Sequence, residues 1–220
     1  MAGGISNWPI PMPDGSRVFE PETEALVGPN AILQLKEPAD QLLGRGVLAQ
    51  ILDLCRVQMP TGDRMISEAE VAAVHHTLWQ LFPHRAAAVS EEAGIGTARY
   101  IRKNRIPRIA RIALLLLPRT WAEGMLTKAI ADHAWTFCGS GAFGTHHEDG
   151  DIHFMIRANP LADCQAHPPH PCHWHRAVFE ELFSGVLGRR YQCREQSCCA
   201  LGDDLCHFVV SRGVVEEPAG

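Results

Sequence analysis

The sequence predicts an α+β domain in which a helical first half packs on an antiparallel sheet. Two patterns predict this class. Between residues 37 and 133, apolar side chains recur at helical spacing, with Pro and Gly between the segments. From residue 151 onward, short segments alternate between apolar and polar side chains, which is the period of a strand. A chain of 220 residues buries enough apolar surface to fold without disulfide bonds.

The first half is predicted to form five helical segments behind an extended arm. Pro and Gly dominate the arm, residues 1–36, in which a short strand is expected near Ala31–Leu35. The helices are predicted over residues 38–55, 67–81, 85–104, 109–117 and 118–133. The third contains Gly94 and Gly96, which weaken a helix unless another element packs close to them.

The second half is predicted to form strands around one helix. The strands cover residues 134–143, 151–157, 191–195 and 205–211, a polar turn covers Thr145–Gly150, and a helix runs from Trp174 to Gly188. Together with the helical half they make one domain over residues 37–212, followed by a short tail at 213–220.

Composition argues against several classes of protein. A net charge of −5 argues against a protein that coats nucleic acid. The longest aliphatic run, Ile112–Leu117, is far shorter than the roughly 20 residues of a membrane span. The N-terminus lacks the pattern of a secretory signal. We therefore expect a cytoplasmic protein with at most peripheral membrane contact.

One segment carries a strong positive charge. Between Ala93 and Ala122 there is no acidic residue, and interleaved isoleucines make the segment amphipathic. The basic residues there are Arg99, Arg102, Lys103, Arg105, Arg108, Arg111 and Arg119. Such a segment suits an anionic substrate, an acidic partner or a negatively charged lipid surface, but a solvated helix face would look the same.

Cysteine and histidine are concentrated in the second half, where seven of the 8 Cys and nine of the 12 His lie from His133 onward. The combination of Cys172, Glu195, Cys198 and Cys206 suits tetrahedral zinc, because a turn between the last two can bring their sulfurs together. Further candidates, or a separate site, are available in Cys164, His167, His170, His173, His175, Cys193, Cys199 and His207. Inert, packed thiols are the other interpretation.

The run Glu195-x-x-Cys198-x-x-x-Gly202-x-x-x-Cys206-x-Phe208 resembles the C-terminal signature of the 4-vinyl reductase domain family. That family includes the ligand-sensing domains of bacterial phenol-responsive activators. The resemblance implies that Cys172, Glu195, Cys198 and Cys206 hold a structural zinc. It also implies an α/β sandwich related to vesicle-tethering TRAPP subunits, often dimeric, with an apolar ligand pocket.

Strings upstream resemble the members of this family that are associated with bacteriochlorophyll biosynthesis. These strings are Gly96-Thr97-Ala98-Arg99-Tyr100-Ile101, Asn104-Arg105-Ile106-Pro107, His133-Ala134-Trp135-Thr136-Phe137 and Gly139-Ser140-Gly141. The resemblance implies a role in reduction of the 8-vinyl group of divinyl protochlorophyllide or a related pigment, alongside other biosynthetic enzymes.

The chain has no G-x-G-x-x-G fingerprint for a nicotinamide or flavin and no four-cysteine iron–sulfur spacing. We therefore favour a tetrapyrrole-binding carrier of divinyl protochlorophyllide-type intermediates. The 8-vinyl reductase itself and a small-molecule sensor domain remain alternatives.

A magnesium tetrapyrrole would need an axial ligand, an apolar surface and partners for its propionate. His133, His146, His147 and His153 offer imidazole ligands. The apolar candidates are Trp135, Phe137, Phe143, Phe154 and Met155, and the candidates for the propionate are Arg99 and Arg102. Each of these residues also has an ordinary interpretation as part of the surface or the core.

Overall fold

The computed structural model describes residues 25–162 and 171–213. In chain order these form β1 (Leu26–Val27), α1 (Asn30–Leu33), α2 (Lys36–Leu42), α3 (Val47–Cys55), β2 (Ile66–Ser67), α4 (Glu68–Leu81), α5 (Ala86–Asn104), α6 (Arg108–Leu116), α7 (Arg119–Asp132), α8 (Trp135–Cys138), β3 (Ala142–Glu148), β4 (Asp151–Arg157), α9 (His173–Leu187), β5 (Tyr191–Ser197), a 3₁₀ turn (Cys199–Leu201) and β6 (Cys206–Arg212). The mixed class predicted from the sequence, helices followed by an antiparallel sheet, is confirmed.

Four strands form the main sheet, in the order β3-β4-β6-β5, and all neighbours are antiparallel. Phe154 of β4 pairs with Phe208 of β6, and both rings are fully buried on the inner face of the sheet. The ring of Phe179 from α9 lies 4.6 Å from that of Phe154. Helix α9 therefore covers the inner face, as the alternation in β4 predicted.

Helix α9 lies between two hydrophobic clusters. Its residues Phe179, Leu182 and Phe183 pack toward the sheet, whereas Trp174 and Val178 join the cluster formed by β1 and α1–α5. A Cβ on Gly94 of α5 would overlap the carbonyl oxygen of Trp174 and lie 2.9 Å from Ala177 Cβ. The close approach predicted at this glycine is thus confirmed.

Helix α7 is joined to the sheet by one buried carboxylate. Glu123 is 3% exposed. It accepts hydrogen bonds from the Tyr191 hydroxyl (2.7 Å), from Arg212 Nη2 (2.7 Å) and from Arg119 Nε (3.1 Å). Burial would raise the pKa of this carboxyl, but the bonds from Arg212 and Tyr191 outweigh it and hold the pKa below its ordinary value.

Two predicted strands are wrong. Asn30–Leu33, placed in a strand near Ala31–Leu35, is a helical turn whose Ile32 is fully buried. Ala134–Phe143 is instead α8 followed by a turn at Gly139, whose φ is 53°. The Glu68 carboxylate holds this turn by accepting hydrogen bonds from the backbone nitrogen (2.7 Å) and hydroxyl (2.6 Å) of Ser140. A contact across 72 residues leaves no periodic trace in the local sequence.

Two boundaries also differ from their predictions. The helix predicted over residues 38–55 is split into α2 and α3, because Gly44 and Gly46 both adopt positive φ. The polar turn predicted over Thr145–Gly150 is wrong in its length, since β3 continues to Glu148 and only Asp149 and Gly150 make the turn.

Residues 25–36 of the predicted arm pack into the helical part as β1 and α1, and the remainder of the arm lies outside the described residues. So do Cys164, His167 and His170, and the predicted tail beyond Gly213. None of the helices in the described ranges is long and apolar enough to cross a lipid bilayer.

Candidate metal centre

Three cysteine sulfurs from distant parts of the chain meet in the interior. Cys172 Sγ lies 3.5 Å from Cys198 Sγ and 3.6 Å from Cys206 Sγ, and the latter two are 3.8 Å apart. One carboxylate oxygen of Glu195 completes a group whose ligand atoms all lie within 4.8 Å of one another. The structure therefore brings together the four residues selected from the sequence.

Local structure between β5 and β6 positions two of the sulfurs. Cys198 follows β5 directly, and the 3₁₀ turn after it ends at Gly202, which has a φ of 98°. The Asp203 carboxylate accepts a hydrogen bond of 2.8 Å from the backbone nitrogen of Cys198, which closes the turn. Cys206 then begins β6. A tight turn that needs glycine at its end thus folds Cys206 back toward Cys198.

Cys172 comes from the other side, as the N-terminal capping residue of α9. Its backbone nitrogen donates a 2.7 Å hydrogen bond to Glu195 Oε2. The other oxygen, Glu195 Oε1, is buried and has no hydrogen-bond partner within the described part of the chain. A buried carboxylate oxygen without a donor is costly, and a cation beside the sulfurs would satisfy it.

Asn159, just beyond β4, supports the sulfurs from behind. Its Nδ2 lies 3.4 Å from Cys172 Sγ and 3.5 Å from Cys206 Sγ, and its Oδ1 accepts a hydrogen bond from the backbone nitrogen of Leu161. It is 3% exposed. The backbone nitrogen of Cys199 donates a further bond of 3.5 Å to Cys206 Sγ. Sequence spacing did not reveal Asn159, because it lies 13 residues before Cys172 and its amide is not among the usual zinc ligands.

The geometry fits a tetrahedral ion. Zinc–sulfur bonds of about 2.3 Å place the sulfurs of a tetrahedral site about 3.8 Å apart. The observed separations of 3.5–3.8 Å match this edge length. Three thiolates and one carboxylate would complete four-coordination without a position for water or substrate, which is the pattern of a structural site.

The electrostatics point the same way. Burial raises the pKa of Glu195 to about 8, and the neighbouring Cys198 adds to the rise. Hydrogen bonds from Cys172 and Cys206 lower the pKa of Cys198, whereas the bond with Cys198 raises the pKa of Cys172. These groups cannot all lose their protons while they face only one another. A divalent cation removes that obstacle, because it neutralises the charge that deprotonation creates.

The other cysteines and histidines named from the sequence lie elsewhere or play different parts. Cys193 is buried on β5, and Cys199 contributes its backbone to the site. The His173 ring stacks on Trp79 at 5.8 Å. His175 is enclosed by aromatic rings, and burial lowers its pKa to about 3. No second cluster with Cys172 forms among the described residues.

Three histidines meet on the outer face of the sheet. His146 of β3 stacks on His153 of β4 with ring centroids 4.3 Å apart, and His153 Nδ1 lies 2.9 Å from His207 Nε2 of β6. Glu148 Oε2 lies 3.7 Å from His146 Nε2. His146, Glu148 and His153 form a second group that could hold a metal ion. Burial lowers the pKa of both His153 and His207, so these rings are neutral near pH 7.

The residues expected to meet a pigment are spread over the molecule. Phe154 and Met155 are 0% and 3% exposed and belong to the interior. Phe137 and Phe143 make an edge-to-face pair inside the same core. His133 and Trp135 are exposed close together where α7 passes into α8, and His147 is exposed near the end of β3.

The two arginines expected to bind a propionate both lie against α9. Arg99 pairs with Glu181 at 3.1 Å, and Arg102 Nη1 donates to the carbonyl of Gly185 at 3.0 Å. They are therefore not adjacent to one single cluster of the aromatic candidates.

Comparison with known proteins places this chain among photosynthetic relatives. It is 37% identical over 183 residues to the bacteriochlorophyll synthase 23 kDa chain of Cereibacter sphaeroides, which covers 83% of this chain and 88% of that protein. It is 36% identical over 191 residues to the protein of the same name from Rhodobacter capsulatus, covering 86% and 88%. Residues 152–212, which contain all four clustered ligand candidates, match the model of the 4-vinyl reductase domain.

Solved structures share the architecture at low sequence identity. An H-NOX protein from S. oneidensis superposes with a TM-score of 0.56 at 10% identity, covering 86% of this chain and 100% of that one. An H-NOX protein from K. algicida gives a TM-score of 0.54 at 6% identity, covering 87% and 99%. At this identity the likeness describes the fold alone. From the identity to its curated relatives over most of both chains, the protein belongs to the family of bacteriochlorophyll synthase 23 kDa chains, with a 4-vinyl reductase domain in its C-terminal part.

Proposed function

We propose that this protein binds a magnesium tetrapyrrole intermediate of bacteriochlorophyll biosynthesis and carries it at the stage of 8-vinyl reduction. The family membership supports a role in this pathway. A solved H-NOX structure of the same fold, with a TM-score of 0.51, was studied for the distortion of its heme, so the architecture is compatible with a tetrapyrrole ligand.

The observation that carries the proposal is the state of His133. Its Nδ1 lies 2.8 Å from the carbonyl oxygen of Ala129. A carbonyl only accepts, so Nδ1 carries the proton and the lone pair is on Nε2. The side chain is exposed at the end of α7. His133 therefore presents a coordinating nitrogen outward, in the tautomer that an axial ligand requires.

Trp135 supplies an apolar partner beside this imidazole, since its side chain is 49% exposed. The other histidine candidates on the sheet are less free, because the ring of His153 contacts both His146 and His207. Phe154 and Met155 lie within the core, and we assign them to support of the sheet. The proposed pigment site therefore starts from His133 and Trp135.

The cluster of Cys172, Glu195, Cys198 and Cys206 is proposed to hold zinc. The separations of the sulfurs and the set of ligand atoms support this choice. A zinc held in this way lacks an open position, so its role is to stabilise the connection between α9 and the end of the sheet. When bound it supplies structural cross-linking rather than chemistry on the pigment.

We also propose that the protein delivers its pigment to bacteriochlorophyll biosynthetic enzymes and forms a homodimer, as members of the wider domain family do. The extent of one domain over residues 37–212 belongs to the same proposal. Sedimentation of the purified protein tests the dimer directly.

The test places purified protein, stoichiometric divinyl protochlorophyllide and NADPH in one cuvette, and then identifies the pigment by chromatography. We expect a shift of the Soret band with the pigment unchanged. Conversion to the monovinyl pigment would instead support the alternative, the 8-vinyl reductase itself. Absence of both would contradict pigment binding by the isolated protein.

Variants localise the site. His133→Gly should weaken pigment binding about tenfold or more, and added imidazole should restore the Soret shift, since it replaces the missing ligand. His84→Gly, at another exposed histidine, is the matched control and should bind as the unaltered protein does. Unchanged binding by His133→Gly would contradict this choice of axial ligand.

A further inference from the structure

Helix α6 turns apolar side chains toward solvent. Ile109 and Leu116 are 83% and 81% exposed, and Ile112 between them is 58% exposed. Of the nine residues of the helix, all of which the structure describes, only Leu114 is buried. In water a surface helix normally shows polar residues on its outer side, so this helix has the reverse arrangement.

The exposed residues form one continuous surface. Ile109, Ile112 and Leu116 are spaced by three and four residues and lie on one side of α6. Trp121 and Met125 of the adjoining α7 are 69% and 56% exposed, also four residues apart. We call these five residues the α6–α7 apolar face. A contiguous exposed patch of large apolar side chains indicates a binding surface.

The charge around this face has a single sign. The segment Ala93–Ala122, which contains all of α6, has no acidic residue. Arg105 and Arg108 are exposed at the start of the helix. Arginine beside an outward apolar stripe, together with an exposed tryptophan, is the composition of a helix that lies in the headgroup region of an anionic bilayer.

Helix α6 has nine residues, a length of about 14 Å, which is too short to cross a bilayer but suits a helix lying in its plane. Leu114 and the partly buried Ile106 and Leu117 anchor it to the core, so the face is presented on a fixed support. We infer that the α6–α7 apolar face docks on an anionic lipid surface, with Arg105 and Arg108 at the phosphates.

A second copy of this chain fits the face less well. In a two-fold dimer the same patch meets itself, so the arginines of both copies would approach one another. The segment offers no carboxylate to neutralise them. Lipid phosphates supply that negative charge, and acyl chains accept the isoleucines and leucine.

The experiment measures co-sedimentation of the full-length protein with two kinds of vesicle, one of phosphatidylcholine alone and one of equimolar phosphatidylcholine and phosphatidylglycerol. We expect binding to the anionic vesicles, reduced by high salt because exposed charges are screened. The double variant Ile109→Glu, Leu116→Glu should lower the bound fraction about tenfold or more. Arg105→Glu, Arg108→Glu should lower it on anionic vesicles only.

The matched control is Leu54→Glu, because Leu54 of α3 is 67% exposed but lies outside the apolar face. It should bind vesicles as the unaltered protein does. Fluorescence of Trp121, obtained by comparison with Trp121→Phe, should shift to the blue on anionic vesicles. Circular dichroism of each variant verifies that it is folded.

Equal vesicle binding by the Ile109→Glu, Leu116→Glu variant would overturn the inference, as would an absence of binding to anionic vesicles. A third result also overturns it, namely a lipid-free dimer that this double variant converts to monomers. In that case a second copy of the chain covers the face.

Discussion

Asn159 Nδ2 donates a hydrogen bond to Cys172 Sγ at 3.4 Å, joining the end of β4 to the start of α9. The same nitrogen lies 3.5 Å from Cys206 Sγ, so one buried amide faces two of the three clustered sulfurs. Donors of this kind hold metal-binding side chains in place and stabilise the thiolate form. The clustered sulfurs therefore have a partner that belongs to neither the cysteine pattern nor the turn between β5 and β6.

Replacing this amide should weaken metal binding. We expect Asn159→Ala to lower metal affinity about 10–100-fold, as changes to such supporting groups do. Competition with a chromophoric chelator measures this affinity separately from folding. Asn104→Ala is the control, since that exposed side chain bonds within its own helix, to the carbonyl of Tyr100. Equal affinities for the two variants would show that Asn159 does not support the site.

Loss of a ligand sulfur should empty the site. We expect one equivalent of zinc in the purified protein and a strongly reduced content in Cys198→Ser. Chelation of the metal should lower thermal stability, because binding free energy is part of folding free energy at a structural site. Cys55→Ser, remote on α3, should retain the metal. Full metal content in Cys198→Ser would refute this set of ligands.

The contact between α5 and α9 should not tolerate a methyl group. Gly94→Ala places a Cβ against the Trp174 carbonyl, so the helices must separate, at a cost of about 1–3 kcal/mol in the free energy of unfolding. Gly124→Ala in α7 meets nothing within 4 Å and should instead stabilise the protein by about 0.5–1 kcal/mol. Urea unfolding of both variants tests the difference in sign, and two similar values would contradict the close approach.

The buried carboxylate of Glu123 should make stability depend on acid. Its pKa in the folded protein lies below the ordinary value of 4.5, so its stabilisation is complete above that pH and is lost as the pH falls through the folded-state pKa. We expect Glu123→Gln to cost about 2 kcal/mol at neutral pH, because Arg212 and Arg119 lose their charged partner. The deficit should shrink toward pH values of about 3.

Urea unfolding at the two pH values measures this change. Glu37→Gln, at an exposed position on α2 whose carboxylate bonds Gln41, is the control and should change stability little at either pH. A deficit for Glu123→Gln that does not change with pH would show that the charge of Glu123 is unimportant.

Local pattern was sufficient for the elements that carry their own signals. Helices α4 to α7 and α9 and strands β4 to β6 all lie close to their predicted bounds, since the apolar period within each segment matches the structure that it forms. The four candidate ligands were also found from sequence, because a tight turn at Gly202 brings Cys198 and Cys206 together whatever surrounds them.

Tertiary contacts decided the rest. The segment after His133 became α8 and a turn because the Glu68 carboxylate, 72 residues away, captures Ser140. Asn159 joined the sulfurs only when β4 and α9 packed together. The outward side of α6 is likewise invisible in its spacing, since an apolar stripe predicts a buried face. Which face a helix buries depends on the partners that reach it, and the fold leaves this stripe without one among the described residues.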